Sequence, residues 1–461
     1  MAEIKTLISD SKAARWTALV VVAFTMFAGY YLADVMAPLK GLLENELSWS
    51  SSEYGFFTSA YGWFNVFLFF LIIGGIILDK MGVRFTGLGA AAIMVLGTAI
   101  KYWAISTSSL DGQMLFGWKA QVMVAALGFA IFGVGVEVAG ITVSKIIVKW
   151  FRGKELALAM GLQLSIARLG TALALSTSLP VALQFGTVSA PILICLIMLC
   201  IGFIAFFIYT FMDKKLEASI IEKNIGLEVE PEIEFQMKDI WFIVKNRGWW
   251  YIAILCVLFY SAVFPFLKYA TDLMINKFDV DAYWAGVIPG LLPFGTILLT
   301  PIFGTIYDRK GKGATIMIIG SFLITMVHFL FSVPIFNHWI FAIVLVLILG
   351  IGFSLVPSAM WPSVPKIIPE RQLGTAFALI FWVQNWGLMG VPLLIGWVLD
   401  TYCITGTVVV DGVTSTTYDY TLPMMIFTSF GLLAILFGFL LKIEDKKKGY
   451  GLQSPNIQKQ V

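Results

Sequence analysis

The sequence predicts an all-α membrane protein with twelve transmembrane helices, arranged as two six-helix pseudo-symmetric halves. Three observations carry this. Hydrophobic residues make up 59% of the 461 and charged residues 13%, where an ordinary globular protein carries about 25% charged residues. Twelve apolar runs, each about 18 to 27 residues long, suffice to cross a bilayer. A loop motif and a longer segment each occur once in either half of the chain.

The polar stretch Met1–Lys12 precedes the first run without the pattern of a cleavable signal. The spans then fall near 15–38, 53–78, 86–106, 120–147, 155–181 and 187–212. The longest polar segment follows, from Asp213 to Arg247, and reads as a linker dividing an N-terminal half (1–212) from a C-terminal half (248–461). The second set lies near 249–273, 283–307, 314–335, 338–364, 373–399 and 422–442. Basic residues set the orientation. Twenty-five of the 31 lie on the side holding both termini and the linker, which makes that side cytoplasmic. Lys101, Lys145 and Lys268 lie toward span ends and are expected to snorkel. Pro357, Pro362, Pro365 and Pro369 are expected to break the tenth span toward the cytoplasm. Val410-Asp411-Gly412-Val413 predicts a small hairpin before the last span.

Several classes are excluded by what is missing. Cys195, Cys200 and Cys256 fall inside spans and Cys403 at a loop edge, so no disulfide framework is implied. With only His328 and His338, a multi-histidine metal site is not expected, and there is no phosphate-cradling glycine loop. The expectation is a protein that is not an enzyme, with no cofactor, no metal and no nucleic-acid partner. Its surroundings are the lipid bilayer.

Two repeats organise the halves. Gly75-x-x-x-Asp79-Lys80-x-Gly82, followed by Arg84, returns 229 residues later as Gly304-x-x-x-Asp308-Arg309-x-Gly311. Here glycines permit close packing and the aspartates can cap a helix start. Gly75, Asp79, Arg84, Gly304, Asp308 and Arg309 are therefore gating or conformational candidates. At an offset of 217, Ile131–Glu137 aligns with Ile348–Ser354, and Arg168 with Asn385. The N-terminal half thus holds two charges where its repeat has neutral polar groups. Charge inside a bilayer costs several kcal/mol unless compensated. Glu137 lies 14 residues before Phe151 and Arg168 lies 14 residues after Lys154, the two ends of one hairpin. At 1.5 Å per residue both are roughly 20 Å deep. An acid and a base at one depth on neighbouring helices can meet the two ends of a zwitterion. The alternative is an internal salt bridge that orients the two helices.

The paired loop motif resembles the signature of the major facilitator superfamily, a resemblance that implies two six-helix halves around a central cavity. Tyr61–Val66, Gly153–Gly170, Ala262–Phe266, Ser354–Phe377 and Gln384–Leu388 narrow the likeness further. Together they resemble the branch represented in animals by a lysosomal dipeptide uniporter. The resemblance implies alternating-access transport of short peptides, with Glu137 meeting the peptide amine and Arg168 the peptide carboxylate. Further substrate-binding candidates are Tyr61, Trp63 and Asn65 on the second span and Gln384 and Asn385 on the eleventh. Tyr30 and Asp34 on the first complete the set. Helix packing is the alternative for each. Facilitated diffusion by a monomer is the expectation. A proton-coupled or organic-anion carrier of the same fold is the alternative, and a non-transporting receptor or scaffold the reading from another class. Glu3–Ile8 fits an acidic dileucine-type sorting pattern, yet no Asn-x-Ser/Thr sequon occurs. A bacterial inner (plasma) membrane is therefore the expected location, or the lysosomal membrane in a eukaryote.

Overall fold

The computed structural model describes residues 7–151, 155–223, 237–369, 372–410 and 413–455. The Glu3–Ile8 pattern thus falls largely outside the described residues, as do the tip of the basic hairpin, the acidic run of the linker and the Asp411-Gly412 turn. Among the described residues, eleven helices are long and apolar enough to cross a membrane. The N-terminal half contains α1 (Lys12–Asp34), α2 (Lys40–Leu47), α3 (Ser51–Ser59), α4 (Trp63–Phe67), α5 (Phe70–Ser106), α6 (Ala120–Phe151), α7 (Leu156–Phe185) and α8 (Ala190–Lys223). A short α9 (Met237–Val244) leads to α10 (Arg247–Phe278), α11 (Ala282–Ala285), α12 (Val287–Lys310), α13 (Gly313–Ser332), α14 (Trp339–Ile367), α15 (Leu373–Tyr402) and α16 (Thr421–Lys448). The sixth span therefore continues as helix well past 212, and part of the linker is itself helical.

The count is eleven because the second expected span is not one helix. It runs through α3, a 3-10 turn at Ala60–Gly62 and α4, then breaks at Phe69, whose φ is 56°. Its last part opens α5, which contains the third span as well and turns at Gly82 (φ 76°, ψ 175°). Only glycine adopts that conformation without strain, so the motif's final glycine makes the turn between spans. Its repeat Gly311 also has positive φ (68°). The break at Phe69 is held from the other half, where the Trp382 indole donates to Val66 O at 3.0 Å and stacks on Phe69 at 5.6 Å.

α14 corrects the expectation for the tenth span. It passes unbroken through Pro357, Pro362 and Pro365 and ends only at Ile368, before Pro369. Packed neighbours make up for missing backbone hydrogen bonds in a membrane helix. The predicted hairpin forms, with Ile404–Val410 paired antiparallel to Val413–Tyr418. A smaller unexpected one joins the third and fourth spans, Met114–Leu115 against Trp118–Lys119, turning through Phe116 (φ 51°) and Gly117 (φ 85°).

Lipid tails are as apolar as leucine, so close backbone approach at small residues holds membrane helices together. A Cβ on Gly133 would lie 2.3 Å from Tyr61 O, and one on Gly396 only 3.0 Å from Gly55 Cα. The first contact seats α6 against the second span; the second joins the halves on the face opposite the termini. Polar contacts between the halves cluster on that same far face. Asp400 of α15 accepts from Ser51 N (2.9 Å) and Ser52 N (2.5 Å), capping α3. Buried Lys40 lies 2.6 Å from Glu44 and 3.0 Å from Asp272. The Tyr418 hydroxyl donates to Glu44 at 3.0 Å and Asn45 to Ser415 at 2.9 Å. Toward the termini, α5 and α15 are separated by a cleft of about 1310 Å³ lined by Gly75, Asp79, Ile240 and Phe377 among others.

Candidate functional site

Between the closed far face and this cleft lies a cavity of about 710 Å³, lined by residues of α1, α3, α6, α7, α10 and α15 and by Tyr61. α6 brings Glu137 to it through the glycine-spaced segment Gly133-Val134-Gly135, whose missing side chains let Tyr61 and Met94 approach. The Tyr61 hydroxyl donates to Glu137 Oε1 at 2.7 Å. That is the carboxylate's one hydrogen bond among the described residues, and it leaves the second oxygen open to an incoming donor.

Arg168 is half-buried on α7 and does not itself line this space. It stands at its edge, behind Tyr30 and Phe264, which do. Its Cζ lies 5.8 Å from the Tyr30 ring centroid and 5.3 Å from those of Phe264 and Phe353. Among the described residues the guanidinium has neither a hydrogen-bond acceptor nor an ion-pair partner, and no ion pair joins it to Glu137. The alternative of an internal salt bridge is thus not what this conformation holds. Thr171, one turn beyond Arg168, lines the cavity with a buried hydroxyl that has no partner among the described residues.

Asp34 also lines the cavity, but its carboxylate is taken. Lys268 Nζ sits 2.6 Å from Asp34 Oδ1 and donates to Ala33 O at 2.6 Å. Lys268 therefore does not snorkel; it ties α10 to α1 across the halves. Lys101 does not snorkel either. It is fully buried, its Nζ 4.8 Å from the Phe129 ring centroid. Lys145 pairs with Asp79 at 2.8 Å. That contact also corrects the expectation that Asp79 caps a helix start.

The polar residues of the second and eleventh spans divide. Gln384 lines the cavity and its Oε1 accepts from the Cys256 thiol at 3.6 Å. Asn385 is buried with Nδ2 donating to Phe381 O of its own helix at 2.9 Å. Asn65 is buried against α6, donating to Gly133 O at 3.4 Å. Trp63 donates to Ser59 Oγ at 3.1 Å and packs on Phe56. These three lie outside the cavity lining, in helix packing. Of the repeat partners of the two charges, Ser354 donates to Gly350 O of its own helix at 2.8 Å, while the Asn385 Oδ1 is buried with no partner among the described residues. Phe353 is a residue that sequence reasoning missed, although it precedes Ser354 in the aligned segment and matches Val136, a cavity residue.

The motif glycines behave differently from expectation. A Cβ on Gly75 or Gly304 would meet nothing within 4 Å, so neither is a close contact here. Arg84 pairs with Glu217 and lies 3.7 Å from Asp213, linking α5 to α8. Asp308 and Arg309 occupy the last turn of α12, with Arg309 exposed.

A family model described as Major Facilitator Superfamily matches residues 19–392. The chain is 27% identical over 407 residues to the lysosomal dipeptide transporter MFSD1 of Bos taurus, covering 84% of this chain and 80% of that one. It is 28% identical over 398 residues to the protein of the same name from Danio rerio, at 83% and 80% coverage. Among solved structures it resembles a bacterial homologue of the human lysosomal transporter Spinster, inward-facing and unoccupied (TM-score 0.67, 12% identity, 98% and 100% coverage). It also resembles tetrameric PepTSo2 (TM-score 0.63, 13% identity, 95% and 99% coverage). At these identities the structural likeness speaks for the fold.

Proposed function

The chain belongs to the major facilitator superfamily and is a multi-pass membrane transporter, not an enzyme, and on that premise we propose that it carries dipeptides or similarly small zwitterionic peptides. The observation that carries this reading is the charge arrangement. Glu137 and Arg168 have opposite charges, share one region and are not neutralised by each other, while the remaining acid and base, Asp34 and Lys268, neutralise one another. The site as a whole is charge-balanced and keeps one anion and one cation in reserve. A net-neutral substrate with an ammonium and a carboxylate matches that; an organic anion would face Glu137 uncompensated.

In this reading the peptide ammonium donates to the free oxygen of Glu137, held in place by Tyr61. The carboxylate takes the guanidinium fork of Arg168, with the Thr171 hydroxyl beside it. Both ends lose water on entry and need charged partners in return. Tyr30 and Gln384 contact the peptide between its ends. Asp34 acts through Lys268, as part of the wall. The similarity to curated dipeptide transporters across most of the chain supports the substrate class.

Transport proceeds by alternating access of two rocking halves. With the far face sealed and a cleft between α5 and α15, the described conformation is the one open toward the termini. The basic-residue distribution places that side in the cytoplasm. Facilitated diffusion fits the balanced site, which among the described residues of its lining has no unpaired acid besides Glu137, and a monomer is the proposed unit. A proton-coupled carrier of the same fold is the second reading, since Glu137 is that acid. The bacterial inner membrane is the proposed location. The lysosomal membrane applies in a eukaryote, by analogy with the relatives.

The test is uptake of labelled dipeptide into proteoliposomes. Glu137→Gln and Arg168→Ala are each expected to remove more than ~90% of transport, from about 1.5–3 kcal/mol per lost charged hydrogen bond, while both variants remain monodisperse. Uptake at wild-type rates in either variant would overturn the assignment. Stimulation of uptake by an imposed proton gradient would favour the proton-coupled reading over facilitated diffusion.

A further inference from the structure

The sequence sets Glu137 and Arg168 at one depth on successive helices, and opposite charges brought together away from bulk water attract strongly. Left alone they would collapse into a salt bridge and cancel the site. They do not, and the structure offers a reason outside their own half. Arg168 belongs to α7, but two of the three rings facing its guanidinium, Phe264 and Phe353, belong to α10 and α14 of the C-terminal half. Those rings are fixed by one another: Phe264 meets Phe353 edge-on at 5.5 Å, and Phe353 stacks on Phe259 at 5.5 Å with 4° between the planes. Aromatic faces attract a cation without supplying an anion, so they hold the guanidinium and leave its charge uncancelled.

We propose that Phe264 and Phe353 are positioning residues of the carboxylate site, which hold Arg168 apart from Glu137 in the empty transporter so that both charges stay available to substrate. The proposal rests on the reading that Arg168 takes the peptide carboxylate. It assigns the C-terminal half a part in recognition, although that half carries neutral residues at both repeat positions. Tyr30 completes the cage from α1 and lines the cavity, so the carboxylate reaches Arg168 past its ring.

The experiment measures binding of alanyl-alanine and of alanyl-alanine amide to the purified full-length transporter. Phe353→Leu should weaken binding of the free acid about tenfold and leave the amide nearly unchanged, because the amide never uses Arg168 as a carboxylate partner. Phe353→Tyr, which keeps the ring face, should restore the free acid. Phe264→Leu, at a less buried ring, should repeat the acid-selective loss if Phe353→Leu folds poorly. In a Glu137→Gln background Phe353→Leu should add little, since Arg168 then has no anion to collapse upon. Equal weakening of acid and amide, or a full additional loss in the Glu137→Gln background, would overturn the proposal while leaving Arg168's own role standing. If Arg168→Ala discriminates acid from amide as well as wild type does, the carboxylate assignment fails and the proposal fails with it.

Discussion

Among the described residues, the Glu137 carboxylate is held by one hydrogen bond from Tyr61 and the Arg168 guanidinium by three aromatic faces. Neither attachment uses up the charge, and the two are of different kinds, so the two ends of the proposed peptide substrate should be separable by experiment. N-acetylation removes the ammonium and C-amidation the carboxylate. Each is expected to raise the dissociation constant of wild type roughly 10- to 100-fold, from about 1.5–3 kcal/mol for a hydrogen bond to a charged group. The amide penalty should vanish in Arg168→Ala and the acetyl penalty in Glu137→Gln, which thermal-shift titration of the purified variants checks. Both residues were legible in the sequence because an ionisable residue in the middle of an apolar run stands out. Asn65 and Asn385 stood out for the same reason, yet they are buried in packing. One-dimensional polarity does not say which face of a helix a residue occupies.

At the level of elements, the loop motif separates into parts with distinct work. Gly82 and Gly311 turn the chain with positive φ, and at Gly311 a Cβ would also lie 2.4 Å from Gln453 O. Gly311→Ala is therefore expected to lower the melting temperature, from roughly 1–3 kcal/mol of strain in a sparsely populated backbone region and displacement of the chain at Gln453, Ser454 and Pro455. Gly75 and Gly304 have open space in this conformation, so Gly75→Ala and Gly304→Ala should melt like wild type. Gly75 lines the cleft, so Gly75→Ala is expected to cost in the other state, in which the cleft closes, and to lower the maximal rate of uptake without changing the Michaelis constant. The break at Phe69 lay beyond sequence reasoning, since Phe67-Leu68-Phe69 continues the apolar pattern on either side. It exists because Trp382, 313 residues later, satisfies the Val66 carbonyl and stacks on the break.

Across the whole molecule, the halves are joined at the far face and parted toward the termini. The far seal is strongly polar at its centre: Lys40 bridges Glu44 and Asp272, with Tyr418 and Tyr420 donating to those acids. Removing one partner of a buried ion pair costs about 3–5 kcal/mol, because the other charge is left uncompensated. Lys40→Ala should therefore destabilise the conformation described and shift the protein toward opening on the far side. The readout is labelling of a cysteine at cavity-lining Thr58, in a background with Cys195, Cys200, Cys256 and Cys403 replaced. A far-side reagent should label it faster in Lys40→Ala than in the parent, and equal rates would show that this cluster is not the seal.

The amino-acid sequence alone determined the many-helix membrane fold, and it supplied the division into halves and the two charges on which the proposed site rests. Each of these follows from local apolarity, from repetition or from the cost of ionisation in hydrocarbon, and all three are written along the chain. Tertiary structure decided that Lys268 neutralises Asp34, that Gln384 faces the cavity while Asn385 does not, and that rings of the opposite half cage Arg168. Those outcomes depend on how helices from separate halves rotate and approach each other, and a linear pattern holds no record of that geometry.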